Sequence, residues 1–130
     1  MSKTEINEIE VNGVAYIRKD SVKETQMAVD TDGLKYVIVR SRDAGCFAGY
    51  LWDQISADGG CEVHLKNARR LWYWDGASSL SQLSQEGVKK PENCKFPCVV
   101  PEIEVFGVCE VIPATEDARK SIEGVPVWKQ

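Results

Sequence analysis

The run Arg69-Arg70-Leu71-Trp72-Tyr73-Trp74-Asp75-Gly76-Ala77-Ser78-Ser79-Leu80 sets two guanidiniums and three large aromatics directly before a helix start. Guanidiniums grip phosphate oxygens in pairs, aromatic rings stack on flat ligands or cations, and the first N–H groups of a helix donate to anions. Together these groups fit a ligand that carries both rings and phosphates. Asp75 is the one acidic residue in the run, and no paired carboxylate or metal-ligand spacing accompanies it. The run therefore reads as a binding surface and not as an acid–base centre.

Other chemistry is sparse. Neither a G-x-x-x-x-G-K-[ST] loop nor a G-x-G-x-x-G turn is present, so the common phosphate loops are excluded at motif level. His64 is the single histidine, inside a Glu62-Val63-His64-Leu65 strand pattern, and reads as a solvent-facing strand residue. The five cysteines, Cys46, Cys61, Cys94, Cys98 and Cys109, are odd in number and irregular in spacing. With no apolar signal segment, they read as reduced thiols in a cytoplasmic protein. A zinc site would have to combine Cys94, Cys98 and His64 with Cys61 or a carboxylate, and the expectation is no metal and no cofactor.

Those residues need elements to position them. A chain of 130 residues with net charge −4 fits one domain with a real core, burying roughly two-thirds of the surface its unfolded form exposes. The acidic balance argues against general polyanion binding, and no apolar run is long enough to span a bilayer. Glu8–Val11 and Val14–Ile17 around Asn12-Gly13 form a β-hairpin, and Arg18 to Gly33 is a polar linker. The division is residues 1–33, hairpin and linker, and residues 34–130, an α+β ligand-binding domain.

Within that domain Tyr36 to Ser41 is a buried β-branched strand ending at Arg40 and Arg42, and Gly45 to Trp52 is a second strand, with Gly45 and Gly49 marking a bulge or close approach. A third strand starts at Cys61. Its alternation puts Val63, Leu65, Leu71 and Tyr73 on one face, interrupted by Asn67 and Arg69, which predicts a bend near Asn67-Ala68. The other face carries Arg70, Trp72 and Trp74. Ser79 and Gln82 have capping-box spacing for a helix that stops at Gly87. Cys94 to Pro113 is mostly strand with Gly107 as a bulge, Thr115 caps a last helix that ends at Gly124, and Val125 to Trp128 is a short closing strand. The fold class is α+β: a small antiparallel sheet with two short helices.

The blocks Arg40-Ser41-Arg42-Asp43-Ala44-Gly45-Cys46-Phe47-Ala48-Gly49-Tyr50-Leu51, Lys66-Asn67-Ala68-Arg69-Arg70-Leu71-Trp72-Tyr73-Trp74-Asp75-Gly76 and Pro91-Glu92-Asn93-Cys94-Lys95-Phe96-Pro97 resemble an uncharacterised phage-encoded domain family. That family is in turn similar to the first type of Thoeris anti-defence proteins, sponges that sequester the cyclic ADP-ribose signals of bacterial TIR-domain proteins. The resemblance implies a homo-oligomer in the infected host's cytoplasm that binds a cyclic nucleotide without cleaving it. The local chemistry agrees with it: on this hypothesis Trp72, Trp74 or Phe47 stacks on the base. Arg69 and Arg70 with Arg40 or Arg42 take the pyrophosphate, and Ser78, Ser79 and Asn67 supply shorter hydrogen bonds.

Two other functions use the same residues. Arg70, Trp72 and Trp74 form a protein-binding hot spot in one, because tryptophan and arginine are the commonest interface anchors. In the other, arginines interleaved with aromatics stack on single-stranded nucleic acid, against which the negative net charge weighs.

Overall fold

The computed structural model describes residues 26–57 and 60–129. The hairpin expected at Glu8 to Ile17 lies outside them, as does the first part of the linker. Five strands, β1 (Lys35–Ser41), β2 (Gly45–Ala57), β3 (Gly60–Arg70), β4 (Val100–Val105) and β5 (Val108–Pro113), form one antiparallel sheet in the order β4-β3-β2-β1-β5. Two helices, α1 (Leu80–Glu86) and α2 (Glu116–Glu123), pack together on one face. The arrangement is α+β, as the residue patterns predict.

The β-branched run of β1 is buried on both faces, which explains why it does not alternate with polar residues. Tyr36 and Ile38 join Ala48, Tyr50, Leu83, Phe96, Ala118 and Ile122 in a core beneath the helices. Val37 and Val39 point the other way, into a second core with Phe47, Val63, Leu65, Ala68, Val105 and Val108. Among the described residues no helix covers that second core, and the sheet curls over it. β4 and β5 lie at opposite edges yet are joined by Phe106 and Gly107 alone, and three Cα steps reach at most about 11 Å. The edges must therefore converge, and β3 and β5 touch although they share no ladder. Ser41 Oγ donates to Phe106 O at 2.7 Å and Arg42 N to Gly107 O at 3.2 Å, fixing that corner.

The bend expected near Asn67-Ala68 is a β-bulge: Ala48 faces Arg69 while Tyr50 faces Lys66, and Asn67 takes φ 49°. Gly49 lies against it, and a Cβ there would stand 2.8 Å from that of Ala68. Both helix starts are as predicted. Ser79 Oγ accepts from Gln82 N, and Thr115 Oγ1 accepts from Ala118 N. Thr115 Oγ1 also donates to Gln85 O, which ties the start of α2 to the end of α1.

Three expectations are corrected. The third strand ends at Arg70, and beyond it Tyr73 makes only a single bridge to Lys95. Tyr73 consequently leaves the inward face and is half exposed. Cys94 to Val99 is not strand but follows a 3-10 turn at Pro91–Asn93 across the face of the first core, and Gly107 lies in the link between β4 and β5 and not in a bulge. Val125 to Trp128 pairs with Phe96 through one parallel bridge in place of a closing strand. Gln26 to Gly33 is tied to the sheet: Ala28 N donates to Ala114 O and Ala28 O accepts from Tyr36 N.

Candidate functional site

Arg69 and Arg70 are neighbours on β3, so their side chains leave opposite faces of the sheet. Arg69 goes under the helices and is 2 % exposed. Its Nε donates to Pro97 O, Nη1 to Ile122 O and Val125 O, and Nη2 to Phe96 O, at 2.8–3.1 Å. The guanidinium also lies 5.5 Å from the Phe96 ring. Burial pulls its pKa below that of an ordinary arginine. This corrects the expectation for Arg69: carbonyl oxygens from two segments saturate the group a phosphate would need.

Arg70 takes the other face. Its guanidinium lies 4.4 Å from the ring of Phe47, the residue opposite it on β2, and Nη1 donates to Ala44 O at 2.6 Å. That is its one side-chain hydrogen bond among the described residues. The β1–β2 turn that supplies Ala44 also carries Arg42, which is exposed. Leu71 N donates to Cys46 O and prolongs the ladder by one residue, so Trp72 leaves the sheet level with Gly45. Trp72 is 64 % exposed. Arg42, Arg70 and Trp72 therefore gather at one rim of the curled sheet, with Phe47 buried beneath Arg70.

The other predicted contacts lie elsewhere. Arg40 projects from the opposite face of β1, where its Nε donates to Glu110 Oε1 at 2.9 Å and the bond raises its pKa. Trp74 packs with Ala77 and Leu80 against the first core. Ser79 caps α1, and Ser78 donates through both N–H and Oγ to Gln82 Oε1 at 2.7 Å. The start of α1 is thus closed by its own side chains, and the seven-residue helix offers little dipole. Asn67 is exposed in the bulge. Beyond the strip, Lys95 Nζ sits 5.8 Å from the ring of exposed Tyr73 and 5.6 Å from that of half-buried Trp128.

A different cluster escaped the sequence reading. Glu62 and His64 share the outer face of β3, and His64 pairs in register with Glu104 of β4. Their ligand-type atoms lie within 4.8 Å of one another, and His64 Nε2 is 2.6 Å from Glu62 Oε2. That hydrogen bond, first among the causes, raises the imidazole pKa, with Glu104 and Asp53 adding to it. Trp52 stands edge-on to the imidazole at 5.2 Å. Trp52, His64, Glu102, Ile103, Glu104 and Phe106 line a cleft of ≈ 430 Å³. The available signal was the i, i+2 spacing in Glu62-x-His64 and Glu102-x-Glu104. What joins them is the β3–β4 register, set across the intervening helix and loop.

No helix among the described residues is long and apolar enough to cross a membrane. Neither a curated protein nor a solved structure matches the chain. A family model does match residues 34–122, a span that takes in all five strands, α1 and most of α2, and the chain accordingly belongs to the DUF6948 family, a domain of unknown function.

Proposed function

We propose that the protein is a binding protein for a small anionic ligand carrying an aromatic base, a nucleotide signal of the cyclic ADP-ribose type, which it sequesters without cleavage. The observation that carries this reading is the rim at the β1–β2 turn: Arg70 is held in place by Phe47 and Ala44 O, with exposed Arg42 and Trp72 beside it. A guanidinium already fixed by stacking loses little freedom on meeting a phosphate, and an exposed indole gives a base a stacking surface worth about 1–3 kcal/mol. The finer assignment, a phage anti-defence sponge of the Thoeris type acting as a homo-oligomer in the host cytoplasm, rests on the sequence resemblance of the Arg40–Leu51 and Lys66–Gly76 blocks. Arg42, Arg70 and Trp72 are its ligand residues, with Phe47 as the buried support of Arg70, and Arg69, Ser78 and Ser79 are no longer among them.

Calorimetric titration with cyclic ADP-ribose isomers and cyclic oligonucleotides is the test. Saturable heat with one of them, and recovery of intact ligand after heat denaturation, is the expected result. Trp72→Ala is the clean variant because the side chain is exposed, and it should weaken binding by about 10- to 100-fold with an unchanged melting temperature. Heat from none of the ligands, or full affinity in Trp72→Ala, overturns the reading.

One observation favours a second reading, a protein-contact surface. Trp72 and Tyr73 are consecutive and both more than half exposed, and paired aromatics of this kind anchor interfaces. In that case Trp72→Ala lowers the oligomeric state seen by light scattering, and nucleotides give no heat.

A further inference from the structure

We propose that Glu62, His64 and Glu104 form a site for a divalent first-row transition ion, of the zinc class, at the edge of the Trp52–Phe106 cleft. The proposal uses none of the rim residues and stands or falls separately from the nucleotide reading. Among the described residues this is the one trio of ligand-type side chains that converges, and it holds the chain's single histidine.

Three observations point to a metal ion and not to an ordinary surface ion pair. First, the ligand set is preorganised by the sheet: Glu62 and His64 are two apart on β3, and Glu104 is the ladder partner of His64, so the backbone fixes all three origins. Second, the local charge is one-sided. Asp53, Glu62, Glu102 and Glu104 surround the imidazole from β2, β3 and β4, and Lys66, held 5.6 Å over the Trp52 ring, is the one cation among them. Four acidic side chains against one lysine make that surface one that a dication answers. Third, the cleft leaves room beyond the trio. Three protein ligands and an open position facing a lined cavity is the arrangement by which zinc keeps a coordination site for water or an incoming anion.

The geometry needs little change. His64 Nε2 already faces Glu62 Oε2 at 2.6 Å, and seating both at zinc–ligand distances of ~2.0–2.2 Å requires the carboxylate to swing away by less than about 1 Å. One imidazole with two carboxylates selects zinc or manganese over magnesium and calcium, which prefer oxygen ligands alone, and over copper(I), which prefers thiolates. Zinc should bind more tightly than manganese, following the general order of divalent affinities.

The test is titration of the full chain with Zn2+, Mn2+ and Mg2+ separately, read by calorimetry and by tryptophan fluorescence. Trp52 stands edge-on to His64 and reports the ligation directly. We expect one zinc per chain, weaker manganese, no response to millimolar magnesium, and a fluorescence change that saturates with the heat. His64→Gln and Glu104→Gln should each weaken zinc by at least about tenfold. Glu104 is exposed, so circular dichroism and melting of Glu104→Gln should match the parent, which makes it the clean variant beside His64, whose side chain is 12 % exposed. The five thiols are the competing ligands, and Cys94→Ser/Cys98→Ser should bind zinc as the parent does. Absence of saturable binding, parental affinity in His64→Gln, or loss that follows the cysteines instead overturns the proposal.

Discussion

Arg69 and Arg70 show how far a residue's neighbours, and not its type, decide its role. Both carry the same fork of donors, and strand alternation alone separates them. Arg69 meets carbonyls at the end of α2 and in the Phe96-Pro97 segment; Ile122 O and Phe96 O also accept from Val125 N and Trp128 N, whereas Pro97 O and Val125 O have no other partner among the described residues. Each such orphan costs about 1–3 kcal/mol. A lysine has one nitrogen and cannot reach acceptors on both segments. Arg69→Lys should therefore lower stability by about 3 kcal/mol, or roughly 10–20 °C in melting temperature, checked by urea and thermal unfolding. A shift under 3 °C would show that the fork is dispensable. The phase of Arg69 was legible only relative to Leu71, which shares its face; the bulge at Asn67 puts Val63 and Leu65, expected on that face too, into the other core. Its partners were not legible, because they are backbone oxygens and leave no signature in side-chain type. Arg70 was legible as a candidate site residue for the opposite reason: its companions Phe47 and Trp72 are side chains.

At the scale of elements, local signals carried the helices and the first strands, while pairing at a distance was hidden. Ser79, Thr115 and Gly124 are boundary signals written within a few residues and operate as read, while Gln82 accepts from Ser78 in place of the Ser79 N–H of a capping box. The register that sets Glu104 against His64 depends on where the chain returns after β3, and no local pattern encodes it. The Phe106-Gly107 link misleads in the same way: Gly107 reads as a bulge within strand, but the chain there passes between β4 and β5 at opposite edges of the sheet. α2 offers a pH test of element stability. Arg119 bonds to Glu116 in the first turn and to Glu123 in the last. The guanidinium holds the Glu116 carboxyl below its ordinary value of 4.5, and the helix N-terminus favours the same charge. A depressed native pKa stabilises the fold above the unfolded value and loses that contribution as pH falls through the native one. The stability difference between the parent and Glu116→Gln should be constant from pH 7 to about pH 5 and shrink below about pH 4.5. A difference that grows on acidification would refute the pairing.

For the whole molecule, the decisive feature is that one sheet serves two cores. Its outer face meets the helices, and its inner face curls on itself, so the two short helices among the described residues suffice to leave both sides of β1 covered. Charge follows the same division: the rim at the β1–β2 turn is cationic, with Arg42 and Arg70, and the outer face of β2, β3 and β4 is anionic, with Asp53, Glu62, Glu102 and Glu104. An anionic ligand and a metal ion can therefore occupy one small chain without competing. Both surfaces depend on the closed corner, since Phe106 lines the cleft and its carbonyl anchors the turn that carries Arg42. Ser41 is the residue that closes it, donating to Phe106 O and accepting from Ala44 N at 3.1 Å while nearly buried. Ser41→Ala removes both bonds and leaves two backbone groups short of partners, a loss of about 1–3 kcal/mol. Because the corner joins the two edges of the sheet, the effect should spread beyond it. In Ser41→Ala the midpoint of urea unfolding should fall at an unchanged slope, and amide exchange should accelerate at Arg42 and along β5 while β2 and β3 stay protected. If exchange rises only at Arg42 and Ala44, the corner is a local turn and the sheet is closed by its inner core alone.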